Sequence, residues 1–297
     1  MRSFASYFAL FAVEPISIML IRAKIAMTAE VISSRDNSLL RLARSVRDGK
    51  TPDLIFVEGL RLCEEALRSG LSIEAVIVSG ELASKEKAAP LITELGQVSN
   101  RLASVSEQLL ASISYTKTPQ GIVLLAARLP SSREHLAANQ KQPSLIVIMH
   151  RINNPVNVGA ILRTAEAAGA TGAIATQNTA DPFSPKSLRG AMGSAFRLPI
   201  WFGATYADAL AWCAGRGIQT ICADVHASTG YAEVDWLRPS ALILGPETSG
   251  LSQEEIGVAN ASVRIPMKES AESLNVAVAG GILLYEALRQ RGQFPIR

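Results

Sequence analysis

The chain has 297 residues, 48% of them hydrophobic and 19% charged, and carries a formal net charge of +3. This length is typical of two ordinary domains, and so much apolar material excludes a mainly disordered protein. The small positive charge neither requires nor excludes a nucleic-acid partner.

Cysteine and histidine usage argues against a metal site. The three cysteines, Cys63, Cys213 and Cys222, include no Cys-x-x-Cys pair, and the three histidines are far apart along the chain. We therefore expect no metal, no disulfide framework, and buried structural thiols in a protein of the reducing cytoplasm.

Residues 1–27 are apolar but do not form one long apolar segment. Glu14 and Pro15 divide them, so neither part reaches the ~18–20 residues of a membrane-spanning helix. The resemblance to a signal peptide is weak. We expect translation to begin at Met27 and residues 1–27 to be a leader outside the fold.

Residues 28–129 alternate between strand-like and helix-like segments, which indicates a small α/β domain. The predicted elements are helices at 37–48, 58–69 and 85–95 and strands at 54–57, 73–78 and 121–126. In the first helix Arg41, Arg44 and Arg47 lie away from the apolar stripe. They form either a phosphate-binding surface or a solvated face.

Residues 130–142 are rich in polar residues and are predicted to be a linker. The rest of the chain, 143–297, again alternates and predicts an α/β domain with a mostly parallel sheet. The predicted strands are 145–149, 172–176, 218–225, 241–244 and 262–266, and the predicted helices are 157–168, 185–196, 206–214 and 274–291.

The first polar segment of this half reads Asn154-Pro155-x-Asn157-x-Gly159-x-x-x-Arg163. Asn157 is either a helix N-cap or a functional residue. Arg163 lies on a largely apolar helix, where it either pairs with Glu166 or binds a phosphate.

Two further segments combine glycines and polar residues at predicted strand ends, where ligands of open α/β sheets bind. One is Gly245-x-Glu247-x-x-Gly250-Leu251-Ser252, alternatively a plain turn with Ser252 capping the next helix. The other is Ile265-Pro266-Met267 followed by Ser273-Leu274-Asn275, in which Ser273 could simply cap the last helix. Dinucleotide-binding and Walker sequences are absent, which disfavours a nucleotide-dependent oxidoreductase.

Together, in this order and spacing, the three segments resemble the motifs of the SpoU/TrmH-type RNA 2′-O-ribose methyltransferases of the SPOUT superfamily, over roughly residues 143–297. The first half resembles the RNA substrate-binding domain that these enzymes often carry. The matching pieces there are Ser34-Arg35-Asp36-Asn37, Phe56-Val57-Glu58-Gly59 and Thr118-Pro119-Gln120-Gly121-Ile122. Asp36, Asn154, His150 and Arg151 depart from the usual family pattern.

The resemblance implies a C-terminal trefoil knot, a homodimer, and S-adenosylmethionine as cofactor. Its binding pocket would involve Gly245, Ile265, Met267 and Leu274. The implied reaction is methyl transfer to a ribose 2′-hydroxyl of RNA, with rRNA favoured over tRNA because of the extra domain. The implied catalytic residues are Arg163, Asn157, Glu247, Ser273 and Asn275.

The role of Arg163 stays open at this point. It either accepts the hydroxyl proton or orients the target phosphate, and the second role is favoured because arginine is effectively always charged. The main alternative for the whole protein is a non-catalytic RNA-binding protein that retains the methyltransferase fold. Small-molecule methylation is disfavoured by the additional domain.

Overall fold

The computed structural model describes residues 29–140, 143–268 and 272–292; the predicted leader lies outside these ranges. In the first half the strands are Glu30–Ile32 (β1), Leu54–Glu58 (β2), Ile73–Ser79 (β3), Leu102–Val105 (β4) and Ile122–Ala127 (β5). The helices of this half are Ser38–Arg47 (α1), Leu60–Arg68 (α2), Gly80–Ala83 (α3), Ala89–Val98 (α4) and Glu107–Ile113 (α5), with a 3₁₀ turn at Glu86–Ala88.

The first sheet is mixed and has the strand order β1-β4-β3-β5-β2. Strand β5 runs antiparallel to both of its neighbours, whereas β1, β4 and β3 are parallel. Helix α1 begins at the N-cap Asn37 and buries Leu39, Leu40 and Ala43. The predicted small α/β domain is present. The sequence pattern missed β1 and β4, because strands of three and four residues show too little periodicity.

In the second half the strands are Leu145–Met149 (β6), Gly172–Thr176 (β7), Ile200–Ala204 (β8), Gln219–Ala223 (β9), Ser240–Leu244 (β10) and Ala261–Val263 (β11). The helices are Arg133–Ala138 (α6), Pro155–Ala167 (α7), Pro185–Ala191 (α8), Ser194–Arg197 (α9), Tyr206–Ala214 (α10), Gln253–Gly257 (α11) and Val276–Gln290 (α12).

The second sheet has the order β11-β9-β10-β6-β7-β8, and every pair of neighbouring strands is parallel. Its central strands β6, β7 and β10 are buried along their whole length, as their continuous apolar sequences predict. The predicted helix 185–196 is broken into α8 and α9. Met192 and Gly193 both have positive φ, 48° and 92°, which ends the first helix.

The two halves share packed surfaces. Helix α6, inside the predicted linker, buries Leu136 against the second sheet. One hydrophobic cluster then continues from the first half into the second. Two ion pairs link the halves, Arg128 with Asp181 and Arg197 with Glu65. The relative placement of the two sheets is therefore fixed by apolar contact and by charge.

Helices α7 and α8 pack backbone against backbone. A Cβ atom placed on Gly159 would lie 2.3 Å from the carbonyl oxygen of Ser187 and 2.8 Å from the Cα of Gly190. Only glycine permits such a close approach of the two backbones. This close contact fixes the position of α7 relative to α8. No helix in the described ranges is long and apolar enough to cross a membrane.

Candidate active site

A pocket of about 630 Å³ opens where three parallel strands end. Ala223, Leu244 and Val263, the last residues of β9, β10 and β11, form its floor. This is the position at which open parallel sheets bind ligands, because the connecting loops there diverge. The volume lies within the ~300–1,000 Å³ typical of small-molecule sites.

One chain of hydrogen bonds joins the three sequence motifs at this pocket. Asn157 Nδ2 donates to Glu247 Oε1 at 2.7 Å. Asn275 Nδ2 donates to Asn157 Oδ1 at 3.3 Å. Residues from helix α7, from the loop after β10 and from the start of α12 therefore meet, although 118 positions separate Asn157 from Asn275.

The helix caps differ from the sequence-based alternatives. Asn157 is not the N-cap of α7; Asn154 is, and its Oδ1 accepts from the Val156 N–H. Asn157 lies within the first turn and is buried. Likewise Asn275, not Ser273, caps α12, accepting from the N–H groups of Ala277 and Val278. The capping role of Asn275 fixes its amide for the contact with Asn157.

The remaining predicted pocket residues all line the cavity: Gly245, Ile265, Met267, Ser273 and Leu274. Gly245 packs tightly against Leu251 of the same loop. A Cβ there would lie 2.7 Å from Leu251 Cγ and 3.0 Å from the Leu251 backbone nitrogen. The loop after β10 can fold back against itself only because position 245 has no side chain.

Asp224 and His226, in the turn that follows β9, are among the polar pocket residues that the sequence did not predict. Asp224 Oδ1 accepts from the His226 N–H at 3.0 Å, which fixes the turn. The rule that ligands bind beyond strand ends would have found both residues. The predicted strand 218–225 included Asp224 and ended just before His226, so the end of the strand was placed two residues too late.

His150 and Arg151, which depart from the usual family pattern, bind the same carboxylate. His150 Nε2 lies 3.0 Å and Arg151 Nη2 2.6 Å from Glu255 Oε1. Glu255 also accepts from the Ser252 N–H, which anchors the end of the pocket loop. Burial lowers the pKa of His150, and the nearby Glu255 carboxylate opposes this effect.

Comparison with known proteins agrees with this geometry. The model of the SpoU rRNA Methylase family matches residues 144–285, and that of the MRM3-like substrate binding domain matches residues 39–124. An uncharacterized tRNA/rRNA methyltransferase of Synechocystis is 32% identical over 263 residues, which cover 88% of this chain and 94% of the relative. The chain belongs to the SpoU rRNA methylase family.

Two further relatives support this assignment. The Bacillus subtilis 23S rRNA (guanosine(2553)-2′-O)-methyltransferase RlmP is 32% identical over 232 residues, which cover 77% of this chain and 86% of that protein. The crystal structure of an AdoMet-bound rRNA methyltransferase from Sinorhizobium meliloti has a TM-score of 0.77 at 29% identity. That match covers 88% of this chain and 98% of the other. The matches to both proteins extend over most of this chain.

Arg163 stands apart from the hydrogen-bonded SpoU motif residues. It is exposed on α7, does not line the pocket, and its guanidinium forms no bond with any described residue. The alternative partner Glu166 is occupied, because Arg197 Nε and Nη2 bind its two carboxylate oxygens. The surface ion pair considered from the sequence is therefore wrong, and the Arg163 side chain is available for a ligand.

The three arginines of α1 differ in their surroundings. Arg41 is exposed, and its guanidinium forms no bond with the described residues. Arg44 Nη2 donates to the Arg35 carbonyl at 2.9 Å. Arg47 Nη1 donates to three carbonyls at the end of α5, those of Ser112, Ile113 and Ser114. Only Arg41 is wholly free, so the basic face is smaller than the sequence suggested.

Proposed function

We propose that this protein transfers the methyl group of S-adenosylmethionine to a ribose 2′-hydroxyl of RNA. The observation that carries the proposal is the hydrogen-bonded chain Asn275–Asn157–Glu247 at the mouth of a pocket that ends three parallel strands. Asn157, Glu247 and Asn275 come from the three motifs that resemble those of the 2′-O-methyltransferases. Family membership and the relatives' names support the same reaction.

The residues of the pocket fit this cofactor. Two carboxylates, Asp224 and Glu247, face the cavity, and no Lys or Arg of the described chain lines it. This charge suits a sulfonium cation and ribose hydroxyls. The loop after Gly245 packs closely against Leu251 and lines the cavity, where it would hold the cofactor. When bound there, S-adenosylmethionine supplies an electrophilic methyl group.

The protein's own part in the reaction is mainly positioning. Asn157 is buried and held from both sides, so it fixes the Glu247 carboxylate and the Asn275 amide. These groups orient the ribose, with Ser273 beside them on the pocket wall. In-line placement of oxygen, methyl and sulfur is worth several kcal/mol of the barrier.

Arg163 has the role of holding the phosphate next to the target ribose. Its guanidinium is exposed and forms no bond within the described chain, as a phosphate-binding arginine requires. A bidentate guanidinium–phosphate contact also places the neighbouring 2′-hydroxyl. Because arginine remains charged, we assign it orientation rather than proton removal.

The favoured RNA is ribosomal. The relative from Bacillus subtilis is named for 23S rRNA, and it covers both halves of this chain. Residues 28–129 would form the RNA substrate-binding domain, 130–142 the connection, and 143–297 the methyltransferase domain. A cytoplasmic location is consistent with this substrate and with three free, buried cysteines.

We further infer a homodimer formed through α12. This helix buries Leu283, Leu284 and Ala287 in the core, and its outer face presents Val278 and Tyr285, which are 51% and 47% exposed. Helix α7, which packs against α12, carries Arg163 on its exposed side. Pairing of these faces would bury the apolar stripe and bring Arg163 to a subunit boundary. The molar mass in solution tests this inference.

The path of the C-terminal segment supports the trefoil knot implied by the resemblance. Strand β11 is at one edge of the sheet, whereas α12 packs against β10 and α7 near its centre. Ile265, after β11, and Leu274, before α12, both line the same pocket as the loop that follows Gly245.

The deciding experiment is methyl transfer from labelled S-adenosylmethionine to separate pools of unmodified rRNA and tRNA, followed by digestion to nucleosides. We expect label in a 2′-O-methylnucleoside from the rRNA pool. Label on a base would contradict the proposed site chemistry. Cofactor and RNA binding without transfer to either pool would instead support the non-catalytic RNA-binding protein.

A further inference from the structure

A second cavity, of about 600 Å³, lies between the two halves of the protein. We call it the inter-domain groove and define it by Tyr115 and Lys117 on one side and Lys186, Arg189 and Val156 on the other. The first two residues belong to the loop before β5. Lys186 and Arg189 belong to α8, and Val156 to α7.

The groove is cationic. The side chains of Lys117, Lys186 and Arg189 are exposed, and none of them bonds to a described residue. No Asp or Glu of the described chain lines it. Three unpaired cations facing one cleft from two domains provide a focused positive field that favours a polyanion.

The first wall of the groove is held rigid by a buried carboxylate. Glu58, only 7% exposed, accepts from the N–H groups of Tyr115 and Thr116 at 2.9 and 3.2 Å. It also accepts from the hydroxyls of Ser114 and Thr116. Glu58 thus satisfies four donors of one loop. The loop is fixed before any ligand arrives, and Tyr115 projects from it with its side chain 44% exposed.

The second wall is fixed relative to the active site. Gly159 and Gly190 hold α7 against α8, which carries Lys186 and Arg189. On α7, Val156 lines the groove and the next residue, Asn157, lines the pocket. Arg163 lies seven residues beyond Val156, on the same helix face and about 10 Å along the axis. The groove therefore leads to the catalytic residues.

We propose that the inter-domain groove binds the single-stranded RNA segment that adjoins the methylated nucleotide, with phosphates on Lys117, Lys186 and Arg189 and a base stacked on Tyr115. This inference rests on the proposed function and names where its substrate enters. An exposed aromatic ring beside a row of cations is the arrangement that suits unpaired nucleotides. A duplex would leave no base free for Tyr115.

The test combines binding and transfer. Binding of a fluorescein-labelled single-stranded RNA 12-mer is measured across salt concentrations for K117A/K186A/R189A and for the control K50A/R216A/R238A. The control cations precede β2, β9 and β10 and so lie at the opposite ends of the sheets. We expect at least tenfold weaker binding by the groove variant, with the salt slope reduced by about 2, and little change in the control. Equal slopes for the two variants would overturn the proposal.

Tyr115 separates stacking from general electrostatics. We expect Tyr115→Phe to bind the 12-mer like the parent protein and Tyr115→Ala to bind about tenfold more weakly. Preferential binding of an RNA duplex by the parent protein, or equal binding by both Tyr115 variants, would contradict the stacking role.

Two outcomes distinguish this proposal from the function on which it rests. In the first outcome, the parent protein methylates rRNA and the groove variant has the same KM for that RNA. The proposed function then stands, and the proposed role of the groove is wrong. In the second outcome, the parent protein binds the 12-mer through the groove but transfers no methyl group. The proposed function is then wrong, and the proposed role of the groove stands. Unchanged melting temperature and S-adenosylmethionine affinity show that each variant is folded.

Discussion

The pocket and the inter-domain groove meet at the first turn of helix α7 but have opposite charge. Two carboxylates line the pocket and no described Lys or Arg does, whereas three cations and a tyrosine line the inter-domain groove and no described Asp or Glu does. The pocket is built wholly from the second half, whereas the groove needs both halves. The difference shows how one helix can separate the binding of a cationic cofactor from that of a polyanionic substrate.

Rigidity is achieved differently in the two places. Around the pocket, the key side chains bond to one another, as Asn157 does with Glu247 and Asn275. Around the groove, the cations form no bond with any described residue; Glu58 holds the loop just before Lys117, and the Gly159–Gly190 contact holds the helix that carries Lys186 and Arg189. Free cations retain their charge for a ligand, whereas paired amides retain their geometry for a reaction.

The largest expected effect comes from Arg163, which lines neither cavity. We expect Arg163→Ala to abolish methyl transfer, a loss of roughly 1,000-fold or more, because the target phosphate is no longer oriented. S-adenosylmethionine binding, measured by calorimetry, should remain. Arg163→Lys keeps the charge without the bidentate fork and should recover part of the activity. Undiminished turnover by Arg163→Ala would refute the assigned role.

A substitution at Gly245 tests whether cofactor binding in the pocket can be weakened while RNA binding in the groove is preserved. The added methyl of Gly245→Ala would collide with Leu251, so the loop must shift. We expect S-adenosylmethionine to bind at least about tenfold more weakly, about 1.4 kcal/mol, while RNA binding is unchanged. Gly257→Ala is the matched control, since a Cβ there meets no atom within 4 Å. Equal losses in both variants would contradict the role of Gly245.

The basic helix α1 extends the comparison to RNA contacts outside the groove. Arg41→Ala should reduce the salt slope of RNA binding by the amount expected for about one phosphate contact. The free energy of unfolding should not change. Arg47→Ala should lower the free energy of unfolding by about 1 kcal/mol, because three carbonyls at the end of α5 lose their donor. Salt titrations and thermal melts measure the two effects. An unchanged slope for Arg41→Ala would remove α1 from the interface.

The smallest expected effect is a pH dependence of the pocket loop. Burial lowers the pKa of His150, so below about pH 6.5 the unfolded chain takes up this proton more readily than the folded protein. The stability contributed by neutral His150 is therefore present above that pH and is lost as the pH falls. Thermal melts between pH 8 and 5.5 should decline more steeply for the parent than for His150→Asn. Parallel curves would contradict this expectation.

Much of the second half could be predicted because its strands are continuous apolar runs, as at 145–149 and 240–244. The strand β8 could not, since Gly203 interrupts its short pattern and the strand is completed only by pairing with β7. The pocket residues were predicted through motif resemblance. Their mutual contacts and the correct helix caps, Asn154 and Asn275, depend on the three-dimensional structure.

The α/β alternation, a mostly parallel second sheet and the residues of the three motifs could all be predicted from the order of the amino acids, because periodicity and motif spacing are local properties. Which polar groups meet depends on the folding of the whole chain, since those contacts join residues far apart in the sequence. The fold pairs Glu166 with Arg197, and Arg163 forms no bond with any described residue. It also placed Lys117 opposite Lys186 and Arg189 across a groove that neither half forms alone.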